Sequence, residues 1–428
     1  MRALALLIAI AAASLLAAAA PADGADVASV VVVLKGDVGS ARVADEHVRA
    51  HGVAVTHLYG TALSGYAARV PSGRLEVLRR DPRVAYVAPD LLAHVLGQPA
   101  GSPQTLPTGI RRTEGDRSSA RSGDGSGAVA APAVAILDTG IDRKHPDLNV
   151  AGVVNCVGGK NGDGYGHGTK VAGIVAARDN GIGAVGIAPG APVYDVKVIN
   201  DSGTASLSSV ICGIDWVSAN TASRGIRVAN MSFGFRDARA YPDDGNCGIT
   251  VGDPFHQAVC NSSARGITYV ASAGNTARDL AVQTPASYDE VLTVTALADY
   301  DGLPGGLSAP TCQYGADDTP ASFSSYAVSE PDAAHTVAAP GTCTYTTARG
   351  GYAAFSGTSA ASPHVAGMVA LCLAGGRCAG TPAQTVQQIR LDAAAHSTAF
   401  PAYGFSGDAR SHVPGSSYYG YLAWAGGY

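Results

Sequence analysis

Three short segments of this sequence concentrate side chains that together could run nucleophilic catalysis. In Ala135-Ile136-Leu137-Asp138-Thr139-Gly140 a carboxylate closes an apolar run and a glycine turn follows at once. In Gly166-His167-Gly168-Thr169-Lys170-Val171-Ala172-Gly173 a histidine between two glycines opens a helix-like run, and the glycines leave room for close approach to the imidazole. In Gly357-Thr358-Ser359-Ala360-Ala361-Ser362-Pro363-His364-Val365-Ala366-Gly367 a serine precedes a second helix-like run, with Pro363 compatible with its first turn. Free backbone N–H groups and the helix dipole favour negative charge at such a start. Singly, each has an ordinary explanation: a turn aspartate, a helix-starting histidine, a serine N-cap. Jointly they supply what a hydroxyl nucleophile needs near neutral pH, namely a base and a carboxylate to orient it. No G-x-S-x-G elbow occurs, which argues against an esterase or lipase of the α/β-hydrolase type.

The elements that must position these residues can be read from apolar patterning. From Ala131 onward, strand-like runs (Ala133 to Leu137, Val193 to Ile199, Ile226 to Met231, Ile267 to Ala271, Val291 to Val294) alternate with helix-like ones. The helix-like runs are His167 to Ala177, Leu207 to Ser218, Pro254 to Ser263, Ala360 to Ala374 and Ala383 to Ala394. Nearly continuous Val/Ile/Ala strands between helices imply an α/β fold with a mostly parallel sheet covered on both faces. Ligands of such sheets sit beyond the carboxyl ends of the strands, where Asp138 stands. Val27 to Asp90 forms a separate unit in β-α-β-β-α-β order, the ferredoxin-like arrangement. Between Leu96 and Gly127 the composition turns to Gly, Ser, Pro, Thr and Arg, a linker signal and a place for proteolytic cleavage.

The three segments resemble the signature blocks of the subtilisin family of serine proteases: Asp-Thr-Gly, His-Gly-Thr and Gly-Thr-Ser-x-x-Ser-Pro-His. They stand in that family's chain order, and the likeness runs from about Gln104 to Leu373 and more weakly to the C-terminus. The resemblance implies a subtilisin-like doubly wound domain with Asp138 as orienting carboxylate, His167 as general acid and base, and Ser359 as nucleophile. Ala271-Ser272-Ala273-Gly274-Asn275 resembles the oxyanion segment, which makes Asn275 a side-chain donor beside the Ser359 N–H. Gly203 and Thr204, Ser232-Phe233-Gly234, and Ala273 with Gly274 match segments expected to pair with an extended peptide. No acidic residue lines those segments, so broad or apolar specificity is expected. The N-terminal unit is similar to an inhibitory propeptide, notably at Gly65-Tyr66-Ala67-Ala68-Arg69-Val70 and Tyr86-Val87-Ala88-Pro89-Asp90. It is expected to block the cleft until cut between Leu96 and Gln104. Gln104, Asp147 and Asn180 match side-chain ligands of a structural calcium site, and Arg178, Ile182 and Ala184 its carbonyl donors. No organic cofactor is implied. Two positions depart from the family: Lys170 where a second histidine is usual, and Ala360 where a methionine usually follows the nucleophile. The segment Arg236 to Cys260, with Asp237, Asp243 and Asp244, is longer than in the simplest members and reads as a solvated loop.

Composition sets the context. The 428 residues carry a formal net charge of -5 and no basic block, which excludes a nucleic-acid footprint. Arg2 followed by the apolar run Ala3 to Ala20 and small residues reads as a signal peptide cut after Ala20, Ala22 or Ala25. No later segment is apolar enough for a membrane anchor. All eight cysteines lie between Cys156 and Cys378, as expected of disulfides in an exported protein. Of about 105 possible connectivities, proximity favours Cys247–Cys260, Cys312–Cys343 and Cys372–Cys378, leaving Cys156–Cys212. The expected organisation is a signal peptide (1–25), an inhibitory propeptide (26–100) and a catalytic domain (101–428) of a secreted, monomeric endopeptidase acting on protein or peptide substrates. A peptide-binding scaffold without catalysis and a peptide ligase are the rivals. An intact inhibitory unit argues against the first, and the shared nucleophile leaves the second open.

Overall fold

The computed structural model describes residues 27–36, 38–95, 98–100, 106–125, 128–235 and 242–428. The expected leader, Gln104, Asp237 and most of the expected processing interval lie outside them. The N-terminal unit contains β1 (Val27–Leu34), α1 (Ser40–His51), β2 (Ala54–Tyr59), β3 (Gly65–Pro71), α2 (Leu75–Arg79) and β4 (Val84–Pro89). Its antiparallel sheet has the order β2-β3-β1-β4, the ferredoxin-like order expected. One face packs on its own helices through Val30, Val32, Val43 and Leu78, while Val31, Val33, Tyr59 and Leu63 face the larger domain. Two short strands follow, β5 (Leu92–Val95) and β6 (Gln98–Ala100).

The larger domain begins with α3 (Thr108–Arg112), β7 (Ala133–Asp138), β8 (Val150–Asn155), α4 (His167–Ala176), β9 (Val193–Lys197), β10 (Thr204–Ser206) and α5 (Leu207–Arg224). It continues with β11 (Ile226–Met231), β12 (Phe233–Gly234), α6 (Pro254–Ser263), β13 (Thr268–Ser272), β14 (Val291–Ala298) and β15 (Thr319–Pro320). After α7 (Glu330–Ala333) come β16 (Thr336–Pro340), the hairpin β17 (Thr344–Ala348) and β18 (Gly351–Ser356), α8 (Thr358–Ala374) and α9 (Pro382–Ala399). The central sheet runs β14-β13-β11-β7-β9-β8 in parallel, with β16 parallel and β15 antiparallel on β14. Alternate residues along β7 serve opposite layers: Val134 and Ile136 pack under α4 and α8, Ala135 and Leu137 under α5. Because β9 and β11 flank β7, the chain reverses its direction across the sheet there, and Asp138 sits at this switch point.

Sequence periodicity located β7, β9, β11, β13 and the helix starts closely, but not β8, β16 or the β17–β18 hairpin. Those strands are short or polar on one face, so pairing and not pattern defines them. The four disulfides join Cys156–Cys212, Cys247–Cys260, Cys312–Cys343 and Cys372–Cys378, as proximity suggested. The tyrosine-rich tail packs inward, with Tyr403 donating to Ala423 O and Tyr428 to Asp392. Pro363 does not lie in the first turn of its helix. α8 starts at Thr358, so the proline stands inside it.

Asp195 of β9 is fully buried, and among the described residues no side chain pairs with either carboxylate oxygen. Burial, helped by the nearby Asp163 charge, raises its pKa to about 7. The folded chain therefore keeps a proton that the unfolded chain releases near pH 4, and stability from this group falls as pH rises towards 7. The fall in Tm between pH 5 and pH 9 should be smaller in Asp195→Asn by a few degrees. Scanning fluorimetry at the two pH values checks this, and equal falls in both chains would contradict it.

Candidate active site

Asp138 ends β7 with its carboxylate completely buried, and the first residue of α4 hydrogen-bonds it. His167 Nδ1 lies 2.8 and 2.9 Å from the two Asp138 oxygens, and Thr139 N donates to Oδ1 at 2.7 Å. This pairing fixes the tautomer that carries the proton on Nδ1 and leaves Nε2 as the acceptor. Nε2 is buried and has no hydrogen-bond partner among the described residues. Phe355 packs edge-on against the imidazole at 5.3 Å and fixes its plane. The close approach of α4 to the turn after β7 needs a glycine. A Cβ on Gly168 would stand 2.2 Å from the Gly140 carbonyl and 3.0 Å from Asp138 Cβ.

Asp163, which sequence reasoning passed over, ties this junction together. Its Oδ1 accepts from Thr139 Oγ1 (2.8 Å) and Gly166 N (2.6 Å), and its Oδ2 from Thr169 N (2.9 Å) and Thr169 Oγ1 (2.6 Å). Thr139 Oγ1 also accepts from Gly168 N at 2.9 Å. One buried carboxylate thus satisfies orphan donors at the α4 start and clamps the turn that follows Asp138. The signal was faint: an aspartate four residues before the histidine, in a glycine-rich stretch that reads as a loop.

Ser359 is the second residue of α8 and fully buried, so its backbone N–H is among the unpaired amides of a helix start. Its Oγ donates to the Ser232 carbonyl at 3.2 Å and makes no hydrogen bond to His167. Nucleophile–base hydrogen bonds are often open without substrate and close in its presence. Pro363 lacks the N–H that would bond the Ser359 carbonyl four residues back. Ser232 Oγ fills that place, donating to Ser359 O at 3.2 Å while held by Asn230 Nδ2 and Ser362 Oγ at 2.9 Å each. The helix proline and the strand serine together anchor the turn bearing Ser359. Asn275 Oδ1 accepts from both Thr358 N and Thr358 Oγ1 at 2.8 Å. That fixes the amide with its donor end free of hydrogen bonds among the described residues. Gly274 N donates to Thr358 Oγ1 at 3.1 Å, so Thr358 locks the segment after β13 onto the α8 start. Lys170, at the departure from the family pattern, lies over the Phe355 ring at 5.8 Å, and burial lowers its pKa.

The peptide-pairing segments are occupied by the chain itself. β5 lies antiparallel between β10 and β12, with His94 opposite both Thr204 and Gly234, and Val95 opposite Phe233. β6 then pairs with β18, Gln98 opposite Ser356 and Ala100 opposite Ala354. Gly203 stands at φ +76° against Tyr165, where a Cβ would come within 2.8 Å of the ring. Ala273 and Gly274 follow β13, where Ala273 N donates to Val294 O and a Cβ on Gly274 would meet Gln283. Neither pairs with β5 or β6. The N-terminal unit is also held by Asp90, whose carboxylate accepts from Ser208 N and Oγ at the start of α5 (2.6 and 2.5 Å). Asp215 Oδ1 in turn accepts from Thr61 N and Ala62 N at 2.6 Å.

Asp147 and Asn180 lie together, Asn180 Nδ2 donating to Asp147 Oδ1 at 3.0 Å. Burial raises the pKa of Asp147, against the lowering effect of hydrogen bonds from Ala184 N, Asn180 and Tyr352. A Cβ at Gly183 would overlap the Tyr352 ring, so the 181–184 loop needs glycine to close over Asp147. Arg178, Ile182 and Ala184 stand in the same loop after α4, with Arg178 N donating to Asp147 O at 2.9 Å, and the Asp147 carboxylate beside Asn180 offers oxygen donors of the kind a hard cation takes.

Residues 130–412 match the model of the subtilase family, and residues 26–95 that of the peptidase inhibitor I9 family. Among curated relatives, subtilisin E of Bacillus subtilis is 35% identical over 314 residues, 72% of this chain and 70% of its own. Subtilisin DY of Bacillus licheniformis is 38% identical over 276 residues, 63% of this chain and 85% of its own. M-protease of Shouchella clausii is 35% identical over 300 residues, 69% of this chain and 66% of its own length.

If Asp163 holds the Asp138–His167 geometry, Asp163→Ala should lower kcat on a chromogenic peptide at least about tenfold, with a smaller change in KM. A kcat within twofold of the parent would remove Asp163 from that role.

Proposed function

The chain belongs to the subtilase family of serine peptidases, and from that membership we propose that it is a secreted endopeptidase made as an inhibited, self-processing precursor. The observation that carries the proposal is the seating of β5 between Thr204–Ser206 and Phe233–Gly234, followed by β6 on β18. An extended peptide placed as β5 is pairs its backbone on both sides, so recognition is main-chain and tolerant of sequence. The bonds between Val95 and Gln98, in the gap between the two strands, are the first to be cut. Residues 26–95, the span matched by the inhibitor family, leave with the product side. No disulfide is broken, because every cysteine follows.

In the proposed reaction Ser359 Oγ turns from the Ser232 carbonyl towards His167 Nε2 and attacks the scissile carbonyl as its proton passes to Nε2. Asp138 holds the imidazole in that tautomer and stabilises the imidazolium. The Asn275 amide and the Ser359 N–H donate to the oxyanion. The proton then moves from Nε2 to the leaving amine. Water, activated by the same nitrogen, splits the acyl-enzyme and restores Ser359. Gln104, Asp147, Asn180 and the carbonyls of Arg178, Ile182 and Ala184 would hold a calcium ion, which would supply rigidity to the 178–184 loop and take no part in these steps. Residues 1–25 act as an export signal. Among the described residues no helix is long and apolar enough to cross a membrane. The enzyme works as a monomer.

Expressed after Ala25, the parent chain should lose mass by cleavage within 95–98 and react with a fluorophosphonate, whereas Ser359→Ala stays full length and unlabelled. A parent neither shortened nor labelled would defeat the proposal. Asn275→Ala should lower kcat by about 10²–10³, the effect of removing such a donor in subtilisin. A loss below tenfold would take the oxyanion role from Asn275. Chelation should shorten the half-life of heat inactivation more in the parent than in Asp147→Asn, and equal shortening in both would remove calcium from the Asp147 position.

A further inference from the structure

At the far end of β14 the chain enters a loop that gathers four carboxylates: Asp299, Asp301, Asp317 and Asp318. The only cation paired with them among the described residues is Arg112, and it is committed to Asp318. Its Nε and Nη2 lie 2.9 and 2.8 Å from Asp318 Oδ1, and its Nη2 also donates to the Gly404 carbonyl at 2.9 Å. Asp299 is reached from Arg112 only at 3.7 Å. The other three carboxylates therefore face one another with little compensation.

Asp299 is 1% exposed, and its Oδ2 has no hydrogen-bond partner among the described residues. A buried, unpaired carboxylate oxygen is costly unless a proton or a cation covers it. Asp299, Asp301 and Asp317 each bring one carboxylate oxygen within 4.8 Å of the others. Two oxygens bound to one calcium at 2.3–2.6 Å can be no further apart than about twice that distance, so all three can touch a single ion. The carboxylates are already aimed. Asp299 Oδ1 accepts from Gly302 N, Asp301 Oδ1 from Leu303 N, and Asp317 from Tyr300 N and Ser308 N.

We propose that Asp299, Asp301 and Asp317 bind a calcium ion that joins the end of β14 to the 299–308 loop, separate from the Asp147–Asn180 position. An all-oxygen, triply charged donor set selects a hard divalent cation over zinc or copper. The glycines at 302, 305 and 306 give the loop the freedom that larger calcium tolerates better than magnesium. Asp301 is half-buried, so water completes the shell on that side.

The test uses the full precursor carrying Ser359→Ala, which prevents self-digestion. Calcium ions per chain are counted by native mass spectrometry, and terbium is titrated with excitation through tyrosine, Tyr300 lying between two of the ligands. The parent should carry one ion more than Asp301→Asn or Asp299→Asn. Terbium affinity at the lost site should fall at least about tenfold on removing one charge. Asp147→Asn should keep this ion and still gain Tm on adding calcium. Equal ion counts in the parent and Asp301→Asn would overturn the proposal, as would an Asp147→Asn chain whose Tm ignores calcium. Asp301→Asn decides the matter if Asp299→Asn does not fold.

Discussion

A carboxylate with no exposed surface at the end of the strand that starts the sheet is the constraint on which the rest of the site depends. Asp138 is tolerable there because His167 and Thr139 N meet it at hydrogen-bond distance. For the histidine to arrive, α4 must begin against the β7 turn, which requires Gly168, and the turn must not relax, which requires Asp163 and Thr139. The same contacts that satisfy a buried charge therefore orient an imidazole and leave its other nitrogen unpaired. Stability and chemistry use one set of hydrogen bonds.

A second set builds the opposite wall. Pro363 interrupts the ladder of α8, and the Ser359 carbonyl it frees is taken by Ser232, a residue at the carboxyl edge of β11. Thr358 holds the Asn275 amide by its oxygen. The helix start, the strand end and the segment after β13 are thereby fixed to one another through side chains of modest size. The edges of β10, β12 and β18 are paired by the chain's own β5 and β6. Unpaired edges invite association, so an inhibitor that adds strands also protects the precursor from misassembly.

Much of this was legible in the residues. The periodic Val/Ile/Ala runs placed β7, β11 and α6 almost to the residue, because buried parallel strands and the helices over them demand continuous apolar sequence. The blocks around Asp138, His167, Ser359 and Asn275 were legible because such chemistry tolerates few residue types at each place. Less legible were β8, β16 and the β17–β18 hairpin, whose short strands gain their order from neighbours far along the chain. Pro363, expected in a first turn, lies deeper in its helix, where Ser232, 127 positions before Ser359, supplies the hydrogen bond that the proline cannot.

The sequence by itself determined the fold class, the two-unit organisation and the residue types of the site, since composition and spacing are local and survive without coordinates. Only tertiary structure decided that Asp163 braces the Asp138–His167 junction, that Thr358 orients Asn275, and that β5 fills the cleft as a central strand. Each of these is a contact between segments tens to hundreds of residues apart. Their chain spacing carries no period that could announce them, and packing alone brings them together.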